Sequence, residues 1–371
     1  MRVAILRREP QASFSMDVYA DGLVKGLKAV RPNWEFIEVS PSINPIEKGK
    51  SALFAGIWKY YERYWRYPHQ LKNLDADVFH IIDHSDGHLV YSLNKFNKLN
   101  VVTCHDLINL LQPESFEGRA RFPLISMTAW KYAIAGMKSA EHIISVSSYT
   151  AKDVVENLDI NPQKITVVPN AVDAIFHPLS TDEITSFRQQ QGINSEICLL
   201  NVGSNNSRKN VSTILKVLLL LKNQGLPVNF WKVGADFNSE QKDFIKNHSL
   251  EDNITYLGKP DDHTLVLIYS AADVLVAPSL YEGFGMTILE AMACGTPVIS
   301  SNVTSLPEVA GDAAILLEPK DVQGIAKAVC RLHTDNEYRN SLITKGLARV
   351  ETFTWEYTAE QMIKVYEQVL R

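Results

Sequence analysis

Short apolar runs alternate with stretches of helical period over almost the whole chain. In the first half the runs at 3–6, 34–39, 78–82, 101–104, 142–146 and 165–168 have strand length, and helical periods such as 17–30 and 150–158 lie between them. The second half repeats the scheme, with strands expected at 197–202, 228–233, 254–257, 274–277, 298–300 and 314–317 and helices at 211–222, 263–270, 322–331 and 357–370. Apolar strands that alternate with helices predict parallel sheets covered on both faces. The expected fold class is therefore α/β, with two doubly wound, Rossmann-like domains whose strand carboxyl ends face each other across a cleft.

Length supports two domains, because 371 residues exceed one ordinary core. The break is expected in the polar stretch 178–182, after Pro169-Asn170-Ala171-Val172-Asp173, giving domains 1–178 and 183–354. With 46% hydrophobic and 21% charged residues the chain can fill both cores. A net charge of -5 argues against nucleic acid as a partner. Cys104, Cys198, Cys294 and Cys330 show no zinc spacing and read as reduced, mostly buried thiols. The first residues form a strand rather than a leader, and no segment approaches the roughly 18 apolar residues of a spanning helix, so a cytoplasmic protein is expected.

Candidate chemistry concentrates at 278–297, where an apolar strand runs into the glycine turn Gly283-Phe284-Gly285 and a short helix follows, ending at Gly295 before Pro297. Glycines let a backbone approach a ligand, and a helix start offers unpaired N–H donors, so the amides of Gly285, Met286 and Thr287 suit a phosphate or diphosphate. Glu282 precedes the helix and Glu290 lies within it, where a carboxylate can accept bonds from a diol. The plain alternative is a capping box of Thr287 and Glu290 with Glu282 a solvated acid. A second glycine, in Gly203-Ser204-Asn205-Asn206-Ser207-Arg208-Lys209-Asn210, follows a strand and opens a helix for which Asn210 is the natural N-cap. Two cations at a helix start oppose its dipole, so Arg208 and Lys209 are better explained by an anion there, although two solvated loop cations are the commoner case.

The string from Glu282 to Glu290, with Glu-Gly-Phe-Gly and Glu-Ala-Met-Ala-Cys-Gly-Thr-Pro-Val, closely resembles the Glu-x7-Glu segment of retaining glycosyltransferases of family 4. The resemblance covers nearly the whole chain and is strongest from 197 to 318. It implies the GT-B architecture, and a last helix, 355–371, that packs back on the first domain. The Arg-Lys-Asn piece matches the segment whose cations hold the donor diphosphate, and the family's Pro-Asn-Gly-Val-Asp reads Pro-Asn-Ala-Val-Asp here, so the turn at Ala171 should either need no positive φ or tolerate mild strain. His105-Asp106 ends a strand in a string similar to the family's Val-x-Thr-x-His-Asp, whose histidine contacts the donor sugar. Taken alone, a histidine there is more readily explained as one satisfied by Asp106 or by backbone. Two departures stand out: Ser204 occupies a position where many members have arginine, and 10–15 replaces a glycine pair after the first strand.

Transfer of a sugar from a nucleoside diphosphate sugar to an acceptor hydroxyl, with retention and with no metal or other cofactor, is what the resemblance implies. Glu282, His105, Lys209 and Arg208 are its catalytic candidates. Gly203, Ser204, Leu257, the turn 283–287 and Glu290 join Arg208 and Lys209 at the donor, and Ser15, Asp83, His84 and Ser85 belong to the acceptor side. The acceptor would be a carbohydrate or lipid-linked sugar, and the Arg-Lys-Asn segment looks most like bacterial mannosyltransferases of surface polysaccharides, which puts GDP-mannose ahead of a UDP-hexose. A nucleotide-sugar epimerase of related fold and a silent sugar-nucleotide binder are the alternatives.

Three further patterns have plainer readings. His80 and His84 have the spacing of helical metal ligands, but 78–82 reads as a strand. Asp75-Ala76-Asp77 imitates a metal-binding Asp-x-Asp at a position that reads as a turn. The stretch 54–67 mixes Trp58, Tyr60, Tyr61, Tyr64, Trp65 and Tyr67 with Lys59, Arg63 and Arg66. An aromatic face turned to the core is its first reading, and peripheral contact with the inner face of a membrane is the alternative.

Overall fold

The computed structural model describes residues 1–10, 13–41, 58, 60–112, 123–193 and 196–371. The chain divides into two compact units, one formed by Met1–Ala171 with Trp355–Arg371 and the other by Val172–Thr354.

The first unit holds β1 (Arg2–Leu6), β2 (Glu35–Val39), β3 (Val78–Ile81), β4 (Asn100–Cys104), β5 (His142–Ser145) and β6 (Ile165–Val167) in one parallel sheet of order β2-β1-β3-β4-β5-β6. Side chains alternate across each strand, so β1 feeds two cores: Val3 and Ile5 join one, Ala4 and Leu6 the other. The first of these cores is closed by the helix Phe14–Val30 and by Trp355–Val369. Gly22 and Gly26 lie one helical turn apart, where any Cβ would collide with Trp355, and this space is what lets the two helices approach.

The second unit holds β7 (Ile197–Gly203), β8 (Val228–Gly234), β9 (Ile254–Gly258), β10 (Val274–Ala277), β11 (Val298–Ser301) and β12 (Ile315–Leu317), again all parallel, in the order β12-β11-β10-β7-β8-β9. All twelve expected strands are present within a residue or two of their predicted ends.

The boundary differs from the expected one. Residues from Val172 onwards belong to the second unit, because the Val172 N–H donates to Phe353 O (3.0 Å) and Phe176 sets its ring edge against Tyr269 (5.9 Å between centroids). The polar stretch that looked like a linker instead caps the helix Thr181–Gln190, with Ser180 and Glu183 forming a capping box. Ala171 is buried and absent from the residues with positive φ, so the alanine fits without strain.

Candidate active site

In a doubly wound sheet, ligands gather at the carboxyl ends of the strands where the chain order reverses. In the second unit that point lies between β7 and β10, which are neighbours although the chain visits two other strands between them. The segments leaving these strands carry Arg208, Lys209 and Glu282, and the three side chains converge. Arg208 Nη1 lies 2.5 Å from Glu282 Oε2, Lys209 Nζ lies 2.7 Å from Glu282 Oε1, and Ser279 Oγ donates to Glu282 Oε1 at 2.8 Å. Burial alone would raise the carboxyl pKa, but Lys209 and Arg208 outweigh it and hold Glu282 at about 2. The carboxylate is buried rather than solvated, with one oxygen paired to each cation.

The turn after it is fixed from behind. Glu282 N–H donates to Thr304 Oγ1 (3.2 Å), and Ser305 Oγ–H is shared between the carbonyls of Glu282 (2.9 Å) and Phe284 (2.8 Å). Gly283 and Phe284 are buried in this turn. Gly285 has φ 114°, a left-handed value that favours glycine, and a Cβ there would meet the Leu306 side chain at 2.9 Å. The helix Met286–Ala293 starts from it, with Ile288 N–H donating to Gly285 O, so the amides of Met286 and Thr287 open the helix without an intrahelical acceptor. No capping box forms between Thr287 and Glu290. Glu290 instead accepts from Tyr269 O–H at Oε2 (2.6 Å). Burial pushes its pKa up, and the Tyr269 hydroxyl pulls it partly back.

Asn210 does not act as the expected cap. It has a left-handed backbone (φ 55°, ψ 38°), and its side chain accepts no N–H from the first helical turn. Nδ2 donates to Pro278 O (3.0 Å) and Pro319 O (2.7 Å), and Oδ1 takes the Thr213 hydroxyl (2.8 Å). It ties the loop after β7 to those after β10 and β12 instead of capping the first N–H groups of its helix. Ser204 is exposed directly after Gly203, and Leu257 is partly buried at the end of β9.

In the first unit the chain order reverses between β1 and β3, and Arg8 after β1 meets Asp83 after β3 (Nη1 to Oδ2, 3.1 Å). Asp83 also accepts from Ser85 N–H (2.8 Å), and His84 Nδ1 lies 3.6 Å from Oδ1. Burial opposes ionisation there, but His84, Arg8 and the Ser85 amide hold the carboxyl below the usual range. His105, at the end of β4, packs edge-on against Tyr19 with ring centroids 4.7 Å apart, and its backbone N–H faces His84 Nδ1 at 3.4 Å. Its Nε2 donates to Ile82 O (2.8 Å), and burial lowers its pKa. With Nε2 donating to that carbonyl, Nδ1 is the acceptor nitrogen of the neutral ring. Asp106 does not hold this ring: its Oδ1 accepts from Ile108 N–H at 3.0 Å. Ser15 is exposed in the first turn of Phe14–Val30, and Gln11 and Ala12 of the departing loop lie outside the described residues.

His80 is committed elsewhere, between Thr103 Oγ1 and Tyr366 Oη at 2.7 Å each. Asp75 and Asp77 bind the side chain and backbone N–H of Arg2. Of 54–67, residues 54–57 and Lys59 lie outside the described residues. The rest divides into two faces rather than one buried one: Tyr67 is buried and Tyr64 packs on His88 (4.4 Å), while Trp58, Tyr61 and Trp65 stack outward, 38%, 41% and 60% exposed. Arg63 is turned inward to Asp86 (2.7 Å) and Ser85 O (2.6 Å) and is not a surface cation. Sequence reasoning missed Tyr269, Thr304, Ser305 and Lys232. Of these only Lys232 carried a visible signal, as a lone lysine in the apolar run 228–233.

The residues 183–349 match the family model described as "Glycosyl transferases group 1", and 28–175 match "Glycosyltransferase Family 4". The chain is 30% identical over 272 residues to O-antigen chain mannosyltransferase B of Escherichia coli, covering 72% of this chain and 70% of that one. It is 29% identical to the serotype-specific mannosyltransferase WbdA of Escherichia coli over 81% of its own length, and it spans only 38% of that longer protein. Among solved structures, sucrose-phosphate synthase from Thermosynechococcus elongatus superposes with a TM-score of 0.77 at 23% identity, covering 100% of this chain and 99% of that one. Anabaena Alr3699/HepE in complex with UDP gives 0.73 at 17%, covering 99% and 100%. These two likenesses establish a GT-B fold. With the identity and coverage shared with the mannosyltransferase, the chain belongs to glycosyltransferase family 4 and is a sugar-transferring enzyme.

Proposed function

We propose that this glycosyltransferase moves a hexose from a nucleoside diphosphate sugar to an acceptor hydroxyl in polysaccharide or glycolipid synthesis, with retention at the anomeric carbon and without a metal ion. The observation that carries the reading is the convergence of Arg208 and Lys209 on Glu282, in the segment that leads through Gly285 into the helix Met286–Ala293. Negative charge grows on the diphosphate as the glycosidic bond breaks, and cations and amides already in place stabilise it without reorganising. An arriving diphosphate competes with Glu282 for Arg208 and Lys209, and the carboxylate is then the group that takes hydroxyls of the donor sugar. Glu290 holds the ribose through Oε1, Leu257 lies against the base, and His105 accepts a sugar hydroxyl at Nδ1. Asp83, His84, Ser85 and Ser15 are assigned to the acceptor.

Mannose is the first donor sugar to test, because the two curated relatives described above are named mannosyltransferases. The outward ladder of Trp58, Tyr61 and Trp65 supports peripheral membrane contact on the cytoplasmic side, since amphipathic rings favour the headgroup level. Among the described residues no helix is long and apolar enough to cross a membrane.

The test is incubation with GDP-mannose, UDP-glucose or UDP-N-acetylglucosamine, with and without mannosyl oligosaccharide or lipid-linked acceptors, in EDTA. Acceptor-dependent release of the nucleoside diphosphate, with an unchanged anomeric configuration in the product, is expected. Consumption of donor without acceptor would indicate an epimerase, and binding without turnover a sensor.

A further inference from the structure

Lys232 lies in β8, an interior strand of the second sheet, and its side chain is fully buried. A buried ammonium is costly unless paired, yet its partners are two carbonyls, Gly203 O at 3.0 Å and Val233 O at 2.8 Å. Its register neighbours are Asn201 on β7 and Tyr256 on β9, and the ladder is irregular between Lys232 and Val233. Neither neighbour is a counter-charge. Asn201 Nδ2 donates to Val276 O, and Tyr256 O–H donates to Gly234 O. Asp236, the carboxylate acting on Lys232 from the loop after β8, is itself paired with Lys242 at 2.6 Å.

The acceptor of this lysine is the turn that begins the donor site. Gly203 has φ 131°, and its O also takes Ala235 N–H (3.1 Å). A Cβ on Gly203 would lie 3.5 Å from Cε and 3.7 Å from Nζ of Lys209. The Gly203 turn is therefore held between two lysines, one bonded to its carbonyl and one packed against its α-carbon. Lys209 has Glu282 for a partner, whereas Lys232 has no carboxylate within ion-pair distance among the described residues.

We propose that Lys232 is a positioning residue of the donor site: bonded to Gly203 O, it fixes the Gly203–Ser204 turn and adds a positive charge behind Arg208 and Lys209 where a nucleoside diphosphate binds. This rests on the donor reading given above. Without a bound anion, burial and the nearby Lys209 lower the lysine's pKa to about 8, with Asp236 opposing them weakly. Protonated Lys232 favours the diphosphate, so affinity falls as pH rises through about 8, and binding near that pH takes up a proton.

The experiment is calorimetric titration of the intact chain with GDP and with UDP at pH 7 and pH 9, for the wild type and Lys232→Met, alongside melting temperatures. Expected at pH 7 is a loss on the order of 10-fold in affinity in the variant, the size of a lost charge-assisted contact, with an unchanged or higher melting temperature. At pH 9 the wild type should approach the variant, whose own affinity changes much less. A merely structural lysine would give equal affinities at pH 7, and that result overturns the proposal. If Lys232→Met does not fold, proton uptake by the wild type at pH 8, measured in two buffers of different ionisation enthalpy, decides: uptake supports the proposal and its absence overturns it. A wild type that binds neither nucleotide would overturn the donor reading itself, and this proposal with it.

Discussion

Lys209 Nζ lies 2.7 Å from Glu282 Oε1, in a carboxylate that Arg208 already holds by its other oxygen. This trio is the charged centre of the proposed donor site: both cations are paired with one carboxylate, which leaves a net positive charge before any substrate arrives. Binding a diphosphate therefore means exchanging one anion for another, with the cations already oriented. Removing a cation should cost turnover as well as binding. Lys209→Ala is expected to lower kcat/KM for the donor on the order of 10²-fold, the size seen when one contact to developing charge is lost. Steady-state kinetics with the identified donor check this, and unchanged kinetics would remove Lys209 from the mechanism.

Glu282 should show itself in the pH dependence of stability. Its pKa in the folded chain, about 2, lies below the ordinary 4.5, so its contribution is present above pH 4.5 and lost as pH falls through about 2. The displacement corresponds to about 3 kcal/mol. Glu282→Gln should be less stable at pH 7 by an amount of that order and should lose less stability than the wild type between pH 4.5 and 2. Urea denaturation at several pH values measures both curves, and parallel curves would contradict the assignment.

How much of this was legible beforehand depends on the kind of relationship. The twelve strands were readable because each is a short apolar run whose neighbours in sequence have a different period. The Glu282 string and the Arg208-Lys209 pair were readable as motifs, but their contact spans 74 residues and exists only because the crossover sets β10 beside β7. Asn210 read as a cap, since residue type alone does not reveal a left-handed backbone that turns its amide towards Pro278 and Pro319. His105 was readable as the residue that ends β4, while the protonation of its two nitrogens depends on Ile82 O, which no spacing could show.

Glu290 depends on Tyr269 for the placement of its carboxylate. Tyr269→Phe should raise the donor KM by roughly 3–10-fold and leave kcat within about twofold, because the ribose contact proposed for Glu290 would be common to ground and transition states. The lost hydroxyl also lowered the Glu290 pKa, so the rise of KM towards low pH should begin at a higher pH in the variant. A fall in kcat with unchanged KM would contradict this division of roles.

Helix packing in the first unit rests on the missing side chains of Gly22 and Gly26. Gly22→Val should push the Trp355 indole from its place and cost about 1–3 kcal/mol, in the range of overpacked cores. Chemical denaturation followed by tryptophan fluorescence tests it, and wild-type stability would show that the contact yields freely.

Membrane contact has its own test. Flotation with liposomes containing anionic lipid should recover the wild type but much less of a Trp58→Ser, Tyr61→Ser, Trp65→Ser variant, whose substitutions fall on partly exposed rings. Equal recovery would exclude this face as the contact.

The donor assignment is tested most directly by the melting temperature of the wild-type chain in the presence of GDP, UDP or ADP, each compared with its nucleoside. A ligand that prefers the folded state raises stability in proportion to the logarithm of its concentration over Kd. One diphosphate, GDP first, should raise the melting temperature by several degrees at millimolar concentration, while the matching nucleoside does far less. No shift with any diphosphate, or equal shifts with diphosphate and nucleoside, would contradict a site built around Arg208, Lys209 and the start of Met286–Ala293.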